Sequence, residues 1–169
     1  KIMLEKFVEL KILKASDYSD NYLSWMNDKD VVKYSENRFK SFSKKGQIDY
    51  IKSFINNKKN FLYGIFFKKK HIGNIVLGPI KNKTSEITYM IGNKTYWGMG
   101  IGSLVIHLII QKAKHKHKLS KLSAGCASKN LASAKVLLKN NFKLDKVVKN
   151  HFNFDNEKMD LNIYILEIN

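Results

Sequence analysis

Three glycines alternate at Gly98, Gly100 and Gly102, and they separate an apolar strand pattern from the strongest amphipathic pattern in the chain. Before them, Glu86–Ile91 reads as a strand that runs into Gly92. After them, Ile101, Leu104, Val105, Leu108 and Ile109 recur at the spacing of one helical face. A strand that turns through glycines into a helix leaves the first helical N–H groups without an intrahelical acceptor, at the positive end of the helix dipole. Glycine lets a phosphate approach that backbone without meeting a Cβ. On spacing alone, the segment is either a phosphate cradle or a tight turn with no ligand.

Two phosphate-binding classes fail on composition. A P-loop needs Lys and then Ser or Thr directly after its last glycine, and Gly102-Ser103-Leu104 lacks that pair. A dinucleotide fold needs a carboxylate about 20 residues on, for the ribose. Reading from Ile87, the next acidic residue is Asp145. The same acid-free stretch holds ten lysines: Lys94, Lys112, Lys114, Lys116, Lys118, Lys121, Lys129, Lys135, Lys139 and Lys143. The expectation is that they surround the helix start and attract a ligand with several phosphates; a solvated basic face is the alternative.

Overall the chain carries 31 basic and 14 acidic residues, a net +17, yet Arg38 is its one arginine. Nucleic-acid readers lean on arginine, so a nucleic-acid partner is not favoured, although a basic nucleic-acid-binding domain stands as the alternative of another class. Cys126 is the single cysteine and cannot close an internal disulfide, which fits a reducing compartment; a cytoplasmic protein with no membrane partner is expected. A length of 169 residues points to one domain over 1–169, as a monomer or homodimer. No metal is expected, because His115 and His117 lie two apart on a helix and do not share a face.

The remaining pattern supplies the other elements. Phe7 to Leu13 alternates as a strand. Ser16-Asp17 offers an N-cap for a helix carrying Tyr22, Trp25 and Met26, and a second helix is expected over 46–57. Phe61–Lys68 and His71–Leu77 form a hairpin. Lys121–Cys126 reads as a strand, followed by a helix from Leu131 that ends near Asn140-Asn141. Phe142–Val148 and Leu161–Ile168 close the chain as strands, giving an α/β fold with a mixed sheet.

Trp97-Gly98-Met99-Gly100-Ile101-Gly102 resembles the pyrophosphate loop of the GNAT acetyltransferases, in the Trp-Gly-x-Gly form of its ribosomal-protein-acetyltransferase (Rim-type) branch. Asn130-x-x-Ser133-x-x-Val136-x-x-Lys139-x-x-Phe142 is similar to a downstream segment of that branch, with Asn141 in place of a glycine. The resemblance implies a mixed, mostly antiparallel sheet whose central strands splay apart to admit pantetheine. It implies acetyl-CoA as acyl donor, held by Tyr89, Met90, Ile91, Trp97, Gly98, Met99, Gly100, Ile101, Gly102, Ser103, Asn130 and Ser133. Asn130 either binds pantetheine or caps its helix.

Transfer to an amine needs a base, oxyanion donors and a proton for the leaving thiolate. Glu86 is the candidate base, or else a hairpin-edge carboxylate in solvent. Many GNATs protonate the thiolate with a tyrosine at the position where this chain has Leu137, so the resemblance passes that role to Ser133, with Tyr89 as the second candidate. Cys126 is read as a buried small residue, not a nucleophile.

The N-terminal segment Tyr22–Asp28, with Arg38-Phe39, resembles GNATs of surface-sugar biosynthesis, placing Tyr22, Trp25 and Arg38 at the acceptor. The expected function is direct N-acetylation of a small-molecule amine, foremost a nucleotide-linked amino sugar. A protein N-terminal amine is the alternative, and a non-catalytic acetyl-CoA-binding domain a further one.

Overall fold

The computed structural model describes residues 2–169, with side chains from Leu4 onward. In chain order the elements are α1 (Ile2–Glu5), β1 (Val8–Ile12), α2 (Asp20–Met26), α3 (Lys44–Ser53), β2 (Phe61–Phe67), β3 (Lys70–Leu77), β4 (Thr84–Ile91), α4 (Ile101–His115), β5 (Lys121–Ala127), α5 (Leu131–Lys139), β6 (Lys143–Phe154) and β7 (Glu157–Glu167). Short 3-10 turns occupy Ala15–Asp17, Glu36–Phe39 and Lys94–Tyr96. The sheet runs β1-β2-β3-β4-β5-β7-β6, and every pairing is antiparallel except β4 with β5.

Several boundaries differ from the sequence expectation for local reasons. Helix α2 is capped by Ser19, whose hydroxyl accepts from the Tyr22 N–H, while Ser16 and Asp17 lie in the preceding 3-10 turn. Helix α3 starts earlier, because Ser43 accepts from the Gly46 N–H, and the chain leaves helical geometry before Asn56, which sits at φ 63. Strands β6 and β7 are longer than expected. Asp155 and Asn156, both at positive φ, join them in a tight hairpin turn, and solvent-facing polar residues mask the strand pattern there.

The sheet has two unlike faces. On one, α4 and α5 cover the main core, built from Tyr63, Ile65, Ile75, Ile87, Val105, Ile109, Leu122 and Tyr164 among others. On the other, α2 and α3 bury Leu13, Tyr22, Trp25, Met26, Ile51, Leu62 and Phe66 over the β2–β3 side, while Ala127, Phe152 and Met159 form a small cluster with Tyr34 over the β5–β7 side. Between these two clusters the face is uncovered, and there Glu86, Thr88 and Gly125 are exposed.

Strands β4 and β5 pair over only Thr84↔Lys121, Ser85↔Leu122 and Glu86↔Ser123. Beyond Glu86 and Ser123 they separate. The rest of β4 then pairs only with β3, and the rest of β5 only with β7. The expected splay of the central strands is present.

Tyr22 and Trp25 are corrected by this architecture. Tyr22 is 1% exposed and Trp25 7%, so neither ring has a face free to stack on an acceptor. Both rings pack edge-on to the His71 imidazole, at centroid distances of 5.4 and 5.2 Å, and Phe66 closes the cage at 5.3 Å. Trp25 also lies against Gly92, where an added Cβ would come within 2.3 Å of the indole. The aromatic residues of α2 therefore lock the helix onto the sheet beside the end of β4.

His71 donates from Nε2 to Asn74 Oδ1 at 2.7 Å, and its Nδ1 has no partner among the described residues. Burial holds its pKa below the ordinary value, with the Asn74 hydrogen bond opposing. The stability this neutral ring contributes is complete above the unfolded-state pKa of about 6.5 and is lost as pH falls through the lower folded-state value. Denaturant midpoints should drop as pH is lowered below about 6.5. His71→Gln should shrink that slope, leaving the part due to His117, which burial depresses in the same direction.

Candidate active site

The glycine segment is held from both sides. Asn93 caps the turn before it by accepting from the Thr95 N–H. The Trp97 indole, 44% exposed, donates to the Ile91 carbonyl at 2.8 Å and ties the segment to the end of β4. On the far side Asn140, at the end of α5, donates to both Ser103 O and Ser103 Oγ at 3.1 Å. In the sequence Asn140 marks only a helix terminus; its reach to α4 depends on α4–α5 packing, which no local pattern reveals.

Within this frame Gly98 (φ 73) and Gly100 (φ 82) take left-handed conformations, and Gly100 is the N-cap of α4. The amides of Gly98, Met99, Gly100, Ile101, Gly102 and Ser103 make no backbone hydrogen bond among the described residues. A Cβ built on Gly98 or Gly100 meets no atom within 4 Å, so the space over these amides is open. Gly102 differs, since its Cβ would touch Val136 and Tyr89 at ordinary van der Waals distance. Six unpaired donors at a helix start form a concave site suited to a diphosphate.

The lysine expectation needs correction. Lys94 is engaged by Asp28 and Asp30, at 2.8 and 2.9 Å, and so anchors the 3-10 turn to the loop after α2. Lys129 pairs with Glu157 and Lys121 with Glu167. Lys112 and Lys114 lie in the last turn of α4, at the opposite end from the glycines, with Lys116 and Lys118 beyond it. Of the ten lysines, only Lys135 and Lys139 lie on α5, the helix whose Val136 and Asn140 reach Gly102 and Ser103. The backbone amides and the helix dipole supply positive potential at the loop itself.

The β4–β5 gap opens beside the loop. The Glu86 carbonyl accepts from the Gly78 N–H and is therefore turned toward β3. By strand alternation the backbone groups of Ile87, Tyr89 and Ile91 face the gap, while those of Met90 face Asn74 on β3. The Met90 side chain packs with the α2–α3 core. Tyr89 thus offers its N–H and carbonyl to the gap. Ile91 offers its N–H alone, its carbonyl being taken by Trp97, and Met90, expected to join them, offers neither.

Tyr89 donates its hydroxyl to Ser133 Oγ across 3.4 Å. Burial, the leading cause, raises the Tyr89 pKa, so the phenol stays protonated at neutral pH. Ser133 belongs to the first turn of α5, whose cap is Asn130; Asn130 Oδ1 accepts from the Ser133 N–H at 3.3 Å. Cys126 sits beside this pair and donates its thiol to the carbonyls of Ala127 and Asn130. Burial raises the thiol pKa, which suppresses the thiolate a nucleophile would need. Leu137 is 1% exposed and belongs to the core.

The Glu86 side chain lies on the opposite, uncovered face of β4 and is exposed. Its carboxylate has no hydrogen-bond partner among the described residues, the Gly78 and Ser85 bonds going to its backbone carbonyl. The gap thus separates a phenol–serine pair from a free carboxylate. Arg38, set in its own 3-10 turn, donates to the carbonyls of Ser35 and Asn153 and stacks over Phe39 at 4.2 Å from the ring centroid. The Phe39 ring is 67% exposed and borders a cleft of about 440 Å³ lined by Asn153, Asp155, Asn156, Glu157 and Lys158. His115 and His117 diverge, toward Gln111 and Tyr63 respectively. Among the described residues no three His, Cys, Asp or Glu side chains converge.

The acetyltransferase (GNAT) domain profile matches residues 8–143. The chain belongs to the GNAT acetyltransferase family. Its fold is shared with solved acetyltransferases at low sequence identity. A RimL ribosomal L7/L12 α-N-protein acetyltransferase in complex with coenzyme A superposes with TM-score 0.84 at 19% identity, covering 98% of this chain and 96% of that one. The microcin C7 self-immunity acetyltransferase MccE, in complex with acetyl-CoA and AMP, gives 0.83 at 21% identity, covering 96% and 93%. The spermidine N-acetyltransferase of Vibrio cholerae, in complex with coenzyme A and spermine, gives 0.85 at 15%, covering 96% of both chains. No curated protein sequence matches significantly.

For this GNAT chain the loop geometry makes a direct prediction. Acetyl-CoA should raise the melting temperature, since a ligand bound only to the native state stabilises it by mass action. Gly100→Asp should abolish the shift by placing a carboxylate and a strained φ at the diphosphate seat. A folded Gly100→Asp protein with an undiminished shift contradicts the assignment.

Proposed function

We propose that this N-acetyltransferase seats the acetyl-CoA pyrophosphate on the amides of Gly98–Ser103, threads pantetheine into the β4–β5 gap, and passes the acetyl group directly to a primary amine arriving on the Glu86 face. The observation that carries this reading is the run of unpaired amides opening onto an unpaired strand edge. The Tyr89 N–H, turned into the gap, supplies a donor for the thioester oxygen as it becomes an oxyanion, and the Ile91 N–H, two residues along the strand, is left to bond the pantetheine chain. The amine nitrogen attacks the carbonyl carbon, the C–S bond breaks, and the sulfur leaves as thiolate.

Tyr89 gives its phenolic proton to that thiolate, and Ser133, hydrogen-bonded to the phenol, positions it. Glu86 takes the proton released by the acetylated nitrogen, directly or through water. Asn130 serves as the α5 cap, which fixes Ser133.

The acceptor we infer is a nucleotide-linked amino sugar. Tyr22 and Trp25 no longer support it, but the Arg38–Phe39 pair does: an exposed ring for a base or sugar, beside a cation for a phosphate. The net +17 favours an anionic acceptor over a polyamine. The fold likeness to a ribosomal-protein α-N-acetyltransferase keeps a protein N-terminal amine as the second reading.

Mutant kinetics with free-thiol detection separate these roles. Glu86→Gln should lower kcat by roughly 10²- to 10⁴-fold, with the loss shrinking as pH rises and free amine becomes abundant. Tyr89→Phe should lower kcat while preserving the acetyl-CoA thermal shift, and Ser133→Ala should cost less. Phe39→Ala should raise KM for a nucleotide amino sugar without changing kcat. Normal rates for Glu86→Gln at all pH values remove it as base; activity confined to peptide N-termini replaces the acceptor reading.

A further inference from the structure

Five of the ten lysines between Ile87 and Asp145, namely Lys112, Lys114, Lys116, Lys118 and Lys121, gather at the end of the molecule away from the glycine loop. Helix α4 spans 15 residues, about 22 Å at 1.5 Å per residue, between the loop and that end. Three separate chain segments meet there, 57–60, 78–83 and 112–121. The Ile80 N–H donates to Lys59 O and the Ser120 N–H to Lys83 O, each at 2.8 Å. The His117 ring packs at a tilt against Phe61, 4.3 Å between centroids, and hydrogen-bonds with the Tyr63 hydroxyl at 2.8 Å. These segments hold nine lysines and no carboxylate.

Their charge is uncompensated. Among the described residues only Lys121 of the nine forms an ion pair, a 3.7 Å contact with Glu167. Lys112 and Lys116, one helical turn apart, both converge on the Tyr63 ring, at 5.3 and 5.8 Å from its centroid. Like-charge repulsion from Lys116 adds to burial in lowering the Lys112 pKa, and both lysines add to burial in lowering that of His117. Elsewhere some lysines meet carboxylates, as at Lys45–Asp49 and Lys149–Asp160, and others do not; what sets this end apart is that its three lysine-bearing segments hold no acidic residue. Eight of the 14 acidic residues lie before residue 50.

We propose that this lysine-lined end is a docking surface for the phosphodiester backbone of a nucleic acid. Nine cations spread over three segments exceed what one free phosphate can engage. No exposed large apolar side chain falls in these segments, so the surface lacks the insertions that a membrane-binding face uses. Lysine ammonium groups spread over a surface bind backbone phosphate as point charges, so binding is steep in salt and only weakly dependent on sequence. The distance from the glycine loop leaves acetyl-CoA free to bind at the same time. This inference is independent of the acceptor.

The test is fluorescence anisotropy of a labelled oligouridylate across a salt series, using the whole chain. Lys81→Gln/Lys83→Gln/Lys112→Gln/Lys116→Gln is compared with Lys6→Gln/Lys68→Gln/Lys69→Gln/Lys70→Gln, which removes equal charge from the opposite end. The first variant should lose at least about 10-fold in affinity, and its log–log salt slope should flatten by about 0.7 per lost contact; the second should change by less than about 3-fold. Both should keep the acetyl-CoA thermal shift. Lys81→Gln/Lys83→Gln alone, in an exposed turn, gives a smaller loss and serves if the quadruple variant does not fold. Oligothymidylate of equal length should bind comparably, since the ammonium groups bind backbone phosphate. Equal losses in the two quadruple variants, no binding at physiological salt, or preferential binding to phosphatidylserine vesicles overturns the proposal.

Discussion

The three-residue ladder between β4 and β5 is the constraint on which the rest of the structure depends. A parallel pair that continued to Ile91 would satisfy every backbone group of both strands and leave nothing for a ligand. Stopping at Glu86 and Ser123 leaves strand edges unpaired in the middle of a sheet, where an unsatisfied polar group costs about 1–3 kcal/mol if water is excluded. Such an opening persists because the flanking strands are anchored on their other edges, β4 by β3 and β5 by β7. It is filled by water or by an extended molecule that pairs as a strand would. Pantetheine, an amide-bearing chain, meets that requirement.

The ends and faces of the gap follow from the same geometry. At its mouth Trp97 ties the glycine segment to Ile91, and Asn140 ties the start of α4 to α5, so the open amides are fixed relative to the gap. Odd-numbered β4 residues lie on the α4–α5 face, bringing the Tyr89 phenol to Ser133, while even-numbered residues put Glu86 on the uncovered face. Strand alternation thus puts the Tyr89 phenol and the Glu86 carboxylate on opposite faces of the sheet, as the proposed proton transfers require. Trp25, packed on Gly92 and caged with Tyr22 and Phe66 around His71, holds α2 against the same strand end.

What the sequence revealed depended on the range of the interactions involved. The glycine turn, the α4 periodicity and the Asn130 cap are local, and they were legible as spacing. The β4–β5 splay entered only through family resemblance, since Glu86–Ile91 alternates no differently from a fully paired strand. Tyr22 and Trp25 looked like an acceptor wall because helical spacing shows one face without saying what covers it; here the β2–β3 hairpin does. The lysine run misled for a related reason. Proximity along the chain placed Lys112–Lys118 near the loop, but a straight 15-residue helix carries them to the opposite end. Lys94 was taken by Asp28 and Asp30, carboxylates more than 60 residues away in sequence.

The central claim is that the coenzyme lies on the Gly98–Ser103 amides and along the β4 edge. Backbone amide chemical shifts followed during an acetyl-CoA titration test it most directly. The largest perturbations should fall on Gly98–Ser103, Tyr89 and Ile91, with Met90 and the residues of β1 little affected. Perturbations centred on the Arg38–Phe39 cleft or on the lysine-rich end, with Gly98–Ser103 unmoved, would contradict the account.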